Sequence, residues 1–94
     1  MAVSVYIPTP FRRATQDKSK VELEARDVEQ LLTQLEMTFS GLKGLVRDDA
    51  GNVHHHVNIY VNNEAIEALQ GLATPLKDGD EVSIIPAIAG GAGS

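Results

Sequence analysis

Only one stretch of this sequence has a helical period, and the apolar segments on either side of it alternate instead. Val28, Leu31, Leu32, Leu35 and Phe39 fall on one face of an α-helix. Asp27 stands before them as an N-cap, and Gln30 three residues later completes a capping-box pattern. Glu29 in the first turn suits the helix dipole. Ser40-Gly41 is the expected stop, because glycine tolerates the left-handed conformation after a helix. Elsewhere Val3, Val5 and Ile7 alternate with Ser4 and Tyr6, and Val21 and Leu23 with Lys20, Glu22 and Glu24. Val57, Ile59 and Val61 alternate with Asn58, Tyr60 and Asn62, and Val82 and Ile84 with Glu81 and Ser83. That is the period of half-buried strands. One amphipathic helix can cover one face of one sheet. The pattern therefore predicts an α+β domain: four to five strands in a mixed sheet, with the helix Val28–Phe39 laid across it.

The connections carry turn chemistry. Pro8 and Pro10 end the first strand, and Thr9–Lys20 is polar and aperiodic, which reads as a long loop. Leu42–Asn52 is loop-like, with Asp48-Asp49-Ala50-Gly51-Asn52 as its turn. Asn62-Asn63 suggests a tight turn into a short segment around Ala65-Ile66, Leu69–Leu76 is irregular, and Asp78-Gly79-Asp80 is a strong turn signal. The expected core joins the helix stripe to Val3, Val5, Ile7, Val21, Leu23, Val57, Ile59, Val61, Val82 and Ile84. Residues 1–86 form one domain in this reading, and 87–94 a flexible Gly-rich tail.

A chain of 94 residues supports one modest core, because folding at this size buries only about two-thirds of the unfolded surface. A large internal active-site cavity is not expected. The hydrophobic fraction of 43% and charged fraction of 22% are those of a globular domain, not of a disordered chain. There is no Cys, hence no disulfide, thiolate metal site or Cys nucleophile. No apolar run approaches the ~20 residues of a membrane helix, and no signal-peptide pattern opens the sequence, so the cytoplasm is the expected compartment. The net charge of −5 has the wrong sign for a phosphate-binding surface. The charge is also uneven: residues 1–20 sum to +3 and the remaining 74 to −8. Such a field disfavours nucleic acid and anionic membrane and favours a basic protein partner.

Few residues suggest chemistry. His54-His55-His56 is the most conspicuous cluster, but consecutive residues entering a strand point to alternate faces, so only His54 and His56 share a side. No further ligand pattern stands nearby, and a strand-entry role is the expectation, with no metal site. Asp48-Asp49 and Asp78-Gly79-Asp80 lack the spaced oxygens of a Ca²⁺ loop. No nucleophile–base arrangement or phosphate loop stands out, so enzyme activity is not expected and no residue is assigned a catalytic role. The unusual feature is the C-terminal segment. Pro86 is followed by Ala87-Ile88-Ala89-Gly90-Gly91, uncharged and directly off a strand. Such a peptide can thread a narrow cleft, since glycine has no Cβ to obstruct it. A terminal glycine carboxylate is sterically open to adenylation and then to nucleophilic attack.

Leu76-Lys77-Asp78-Gly79-Asp80-Glu81-Val82, then Ile85-Pro86 and Gly90-Gly91, resembles the ubiquitin-like β-grasp sulfur carriers of the ThiS/MoaD family. Ile7-Pro8-Thr9, Arg12, Thr15, Val57-Asn58-Ile59-Tyr60-Val61-Asn62 and Gly71-Leu72-Ala73-Thr74 are most similar to two subgroups. These are the carriers of the alternative cysteine-synthesis route and of thioquinolobactin-type siderophore synthesis. The resemblance spans residues 1–91. It implies that an E1-like enzyme uses ATP to adenylate the Gly91 carboxylate, beside Gly90, and that sulfur replaces AMP to give a thiocarboxylate. A sulfur-accepting, cysteine-synthase-like enzyme then takes the sulfur. The chain itself binds no cofactor in this reading. Ala92-Gly93-Ser94 departs from the pattern, which ends at Gly-Gly; some relatives need a JAMM-type metallopeptidase to remove such an extension.

Alternation places Ile85 on the face opposite Ile84, together with Tyr6 and Tyr60. With the first, last and third strands adjacent, as in β-grasp proteins, these residues make an apolar patch near the tail. Ile85, Tyr6, Tyr60, Pro86 and Ile88 are the expected partner-binding surface. The competing function is a ubiquitin-like modifier joined through Gly91 to lysines. The long first loop and the match at Val57–Asn62 favour the carrier.

Overall fold

In the computed structural model, which describes residues 2–86, the alternating segments become five strands. They are β1 (Ala2–Tyr6), β2 (Lys20–Glu24), β3 (Val57–Val61), β4 (Glu64–Ala65) and β5 (Glu81–Pro86). They lie in one sheet in the order β2-β1-β5-β3-β4. β1 and β5 are parallel, and the other pairs are antiparallel. The expected tail segment 87–94 lies outside the described residues.

Helix α1 (Val28–Thr38) starts where the cap predicts. The Asp27 carboxylate accepts from the Gln30 backbone N–H at 2.7 Å, and the Gln30 side-chain oxygen accepts from the Arg26 N–H at 2.7 Å. The capping box is thus closed one residue earlier than usual. Val28, Leu31, Leu32 and Leu35 have no exposed surface and share one cluster with Val3, Val5, Ile7, Val57, Ile59, Val61, Val82 and Ile84. Val21 and Leu23, on the outermost strand β2, are half-buried against the same cluster.

Two expectations are corrected. A left-handed glycine does not end α1. Phe39 is its C-cap with an extended φ of −126°, and a 3-10 turn, Ser40–Leu42, follows. Gly41 serves close approach instead: a Cβ there would sit 3.2 Å from Ala14 Cβ. Thr9–Lys20 is also not simply a loop. Thr9–Thr15 is a 3-10 helix that buries Phe11 and Thr15. Thr15 Oγ1, fully buried, lies 2.9 Å from the Lys18 carbonyl and 3.3 Å from that of Arg12, which closes the turn internally.

The predicted turns hold. Asn62 and Asn63 have φ of 49° and 74°, the left-handed pair that a two-residue hairpin turn requires. Asp48 Oδ1 accepts from the Ala50 and Asn52 N–H groups at 2.9 and 3.0 Å. Gly79 has φ +89°, and this turn fastens the sheet: the Ala2 N–H donates to Asp78 Oδ1 at 2.9 Å, and Asn62 Nδ2 donates to Asp80 Oδ1 at 3.0 Å. Among the described residues no helix is long and apolar enough to cross a membrane.

Candidate functional site: the open face of the sheet and the root of the tail

α1 covers one face of the sheet and leaves the other open. Side chains alternate along each strand, so Val82 and Ile84 point to the helix while Ser83 and Ile85 point away. The register then fixes who meets whom. Tyr6 pairs with Ser83, and Ser83 with Tyr60, giving one row across β1, β5 and β3. Ile85 stands one row closer to the tail, opposite Asn58. Tyr6 is 36% exposed and Ile85 48%, so this face presents large apolar surface to water at its tail end.

The structure thus brings Tyr6, Tyr60 and Ile85 together. Pro86 differs: it pairs with the buried Val57 and shares the parity of Val82 and Ile84, so it lies on the helix side and not on the open face. Ile88, Gly90 and Gly91 lie outside the described residues. β5 is paired on both sides, by β1 and β3, so the chain leaves for Gly90-Gly91 from the middle of the sheet.

Two neighbours of this patch were not singled out from the sequence. Lys20 pairs with Tyr6 and puts its Nζ 5.8 Å from the ring centroid. Asn58 faces Ile85. The alternation in both strands was readable; which residue stood opposite which was not.

The histidines mark the entry to β3. His54 Nε2 lies 2.8 Å from the Gly44 carbonyl, and the His54 and His56 rings stack at 5.2 Å. Among the described residues no three His, Cys, Asp or Glu side chains are placed to hold a metal ion. His54 and His55 border a hollow of about 270 Å³ beside β3, lined also by Val57, Asn58, Ile66 and Leu72. On the helix side, Arg47 donates to both Glu36 carboxylate oxygens, at 2.8 and 3.1 Å. The hydrogen-bonded Glu36 carboxylate holds the guanidinium above its ordinary value against the effect of burial. That pair ties the segment before β3 to α1.

Comparison with known proteins agrees with this architecture. The sequence is 40% identical over 93 residues to the sulfur carrier protein CysO of Mycobacterium tuberculosis, covering 97% of this chain and 100% of that protein. It is also 40% identical over 84 residues to small archaeal modifier protein 3 of Haloferax volcanii, covering 86% of this chain and 89% of that one. Among solved structures, a chain of the Amycolatopsis orientalis BexX/CysO complex superposes with a TM-score of 0.86 at 32% identity, covering 92% of this chain and 96% of that one. The pattern of the ThiS family matches residues 5–91, nearly the whole sequence. With the helix-backed mixed sheet and the Gly90-Gly91 that follows β5, this places the chain in the ThiS family.

Proposed function

We propose that this protein is a sulfur carrier whose Gly91 carboxylate is the reactive group. An E1-like partner brings ATP; a carboxylate oxygen attacks the α-phosphorus and displaces pyrophosphate, giving an acyl adenylate. Hydrosulfide from the sulfur donor then adds at the carbonyl carbon, AMP leaves, and a thiocarboxylate remains. A cysteine-synthase-like enzyme accepts that sulfur. Adenylation needs a free α-carboxylate at residue 91, so Ala92-Gly93-Ser94 is removed first, by a JAMM-type metallopeptidase. The chain is a co-substrate and binds no cofactor of its own. Its handle is the open face: Tyr6, Tyr60 and Ile85 dock the partner, with Pro86 and Ile88 along the path to the channel.

The observation that carries this reading is the end-to-end similarity to a named sulfur carrier in a chain with Gly90 and Gly91 four and five residues past β5. The test is intact-mass spectrometry after incubation with the E1-like enzyme, ATP and a sulfur donor. The chain ending at Gly91 gains the oxygen-to-sulfur increment; the 94-residue chain and a Gly91→Val variant do not. Sulfur gained by the full-length chain with residues 92–94 still attached overturns the assignment.

A second reading is favoured by the similarity to an archaeal modifier protein. The same activated Gly91 would then be transferred to a lysine amine. A blot of cell lysate separates the two: a ladder of high-mass conjugates indicates a modifier, and a single small band a carrier.

A further inference from the structure

We propose that the end of the sheet from which the tail departs is a basic docking pole, fitted to an acidic surface beside the tail channel of the activating enzyme. This rests on the carrier reading and adds the chemistry of the partner's surface. β1 runs parallel to β5, with Tyr6 level with Ser83. The connection after β1 therefore leaves the sheet at the same end as Pro86. That connection carries Arg12, Arg13 and Lys18, and Lys20 follows at the start of β2, opposed by Asp17 alone. Arg13, Lys18 and Lys20 are exposed.

These charges are held in place. Arg12 Nε donates to the Ile7 carbonyl at 3.1 Å, and the Ile7 N–H donates to the Ser19 carbonyl at 2.9 Å. Phe11 and Thr15 are buried beneath them. Lys20, over the Tyr6 ring, joins the basic group to the apolar patch of the open face. The segment leading into Val57, opposite Pro86, carries Lys43 and Arg47 against Asp48 and Asp49, and Arg47 is paired with Glu36, so these charges nearly cancel and leave the sum positive.

The other end of the sheet has the opposite sign. Asp78, Asp80 and Glu81 cluster at the start of β5, and Glu24 pairs with Ala2, whose N–H meets Asp78. The net charge of −5 suggested a basic partner. At physiological salt, however, exposed charges are screened beyond about 8 Å. A surface closing around the tail therefore senses the local +3 of residues 1–20 more than the total. Opposite charges at a contact raise the association rate more than they lower the dissociation rate.

The experiment is stopped-flow association of the carrier with the E1-like enzyme over a range of ionic strength. The wild-type association rate falls steeply as salt rises. The double variant Arg13→Glu/Lys18→Glu associates at least about tenfold more slowly at low salt. It shows a flattened salt slope, an unchanged thermal midpoint and a dissociation rate within about twofold. Charge reversal at the far end, Glu24→Lys, leaves the wild-type slope in place. Equal salt slopes for wild type and double variant overturn the proposal. So does a wild-type rate that rises with salt. It also fails if the pair is needed to bind phosphatidylserine vesicles or a polyuridylate strand while enzyme association is unaffected. Endpoint sulfur loading at saturating enzyme separates the two readings: no loading of the trimmed wild type sinks the carrier function, while loading without a salt slope sinks only the electrostatic pole.

Discussion

Ile84 and Ile85 are adjacent in sequence, yet the pleat gives them different roles, and that difference can be measured. Ile84 is 2% exposed and Ile85 is 48% exposed. Ile84→Ala removes three buried carbons, about 2.4 kcal/mol at ~0.8 per carbon, and leaves a cavity that brings the cost to roughly 3–5 kcal/mol. A domain of this size has only about 5–14 kcal/mol of stability in total. At about 4–8 °C per kcal/mol, the thermal midpoint falls by at least ~12 °C. Ile85→Asp loses half an isoleucine's burial, about 1 kcal/mol, with up to ~1 more for a poor strand former. Its midpoint falls by about half as much or less. Binding reverses the order. A charge in the middle of the apolar patch costs at least ~2 kcal/mol of partner affinity, about thirtyfold. Ile84→Ala stays within about threefold at a temperature where it is fully folded. Calorimetry supplies the midpoints and titration against the E1-like enzyme the affinities. If Ile84→Ala, while folded, weakens binding as much as Ile85→Asp, or if Ile85→Asp binds normally, the open face is not the docking surface.

Removing the helix cap with Asp27→Ala costs about 1 kcal/mol by urea denaturation, and Asp27→Asn recovers most of it, because only the bond to the Gln30 N–H is lost. Thr15→Val keeps the shape but deletes the buried hydroxyl that meets the Lys18 carbonyl. It lowers stability by about 1–3 kcal/mol, and Thr15→Ser loses less; equal stability of Thr15→Val would show that the hydroxyl does not hold this turn. Gly79→Ala puts a Cβ at φ +89° in open space, so its cost is backbone strain of about 1–2 kcal/mol, seen as a lower thermal midpoint with partner affinity unchanged.

The strands and helix were legible because each has one dry face, and dryness prints a period on the sequence. Val57, Ile59 and Val61 could be read as inward by alternation, and they are. The residues missed from the core are those buried without a period. Phe11, Leu42, Val46, Ile66 and Leu76 all lie outside the regular strands and α1, and all are buried. Each caps an opening that exists only once sheet and helix have met. Thr15 shows the same limit more sharply: a fully buried hydroxyl satisfied by two backbone carbonyls looks, in sequence, like any polar loop residue. At the docking surface, Tyr6, Tyr60 and Ile85 could be assigned to one face by parity. The row Tyr6–Ser83–Tyr60 needed the register, which long connections set and local pattern does not.

The place where the tail joins the sheet bears on what an activating partner has to do. Five residues separate Pro86 from the Gly91 end, and at 3.3–3.6 Å each they reach at most about 18 Å. Pro86 ends β5 opposite Val57, and the strand is paired on both sides further back, at Glu81–Ser83. Detaching β5 as far back as Ser83 would break the central pairings of the sheet, and core strands open only at free energies close to that of global unfolding. The distance from the docked open face to the reacting carbon is therefore bounded by chain geometry, because the strand is anchored on both sides at Glu81–Ser83. Three further residues, Ala92-Gly93-Ser94, would carry the terminal carboxylate about 10 Å past that point. A channel sized to the shorter reach would hold an internal peptide bond where it needs a carboxylate. Lengthening the tail by two glycines before Gly90 in a chain ending at Gly91 should therefore leave docking affinity intact and abolish sulfur loading. Loading that survives the insertion would mean that the partner does not measure the tail from the sheet.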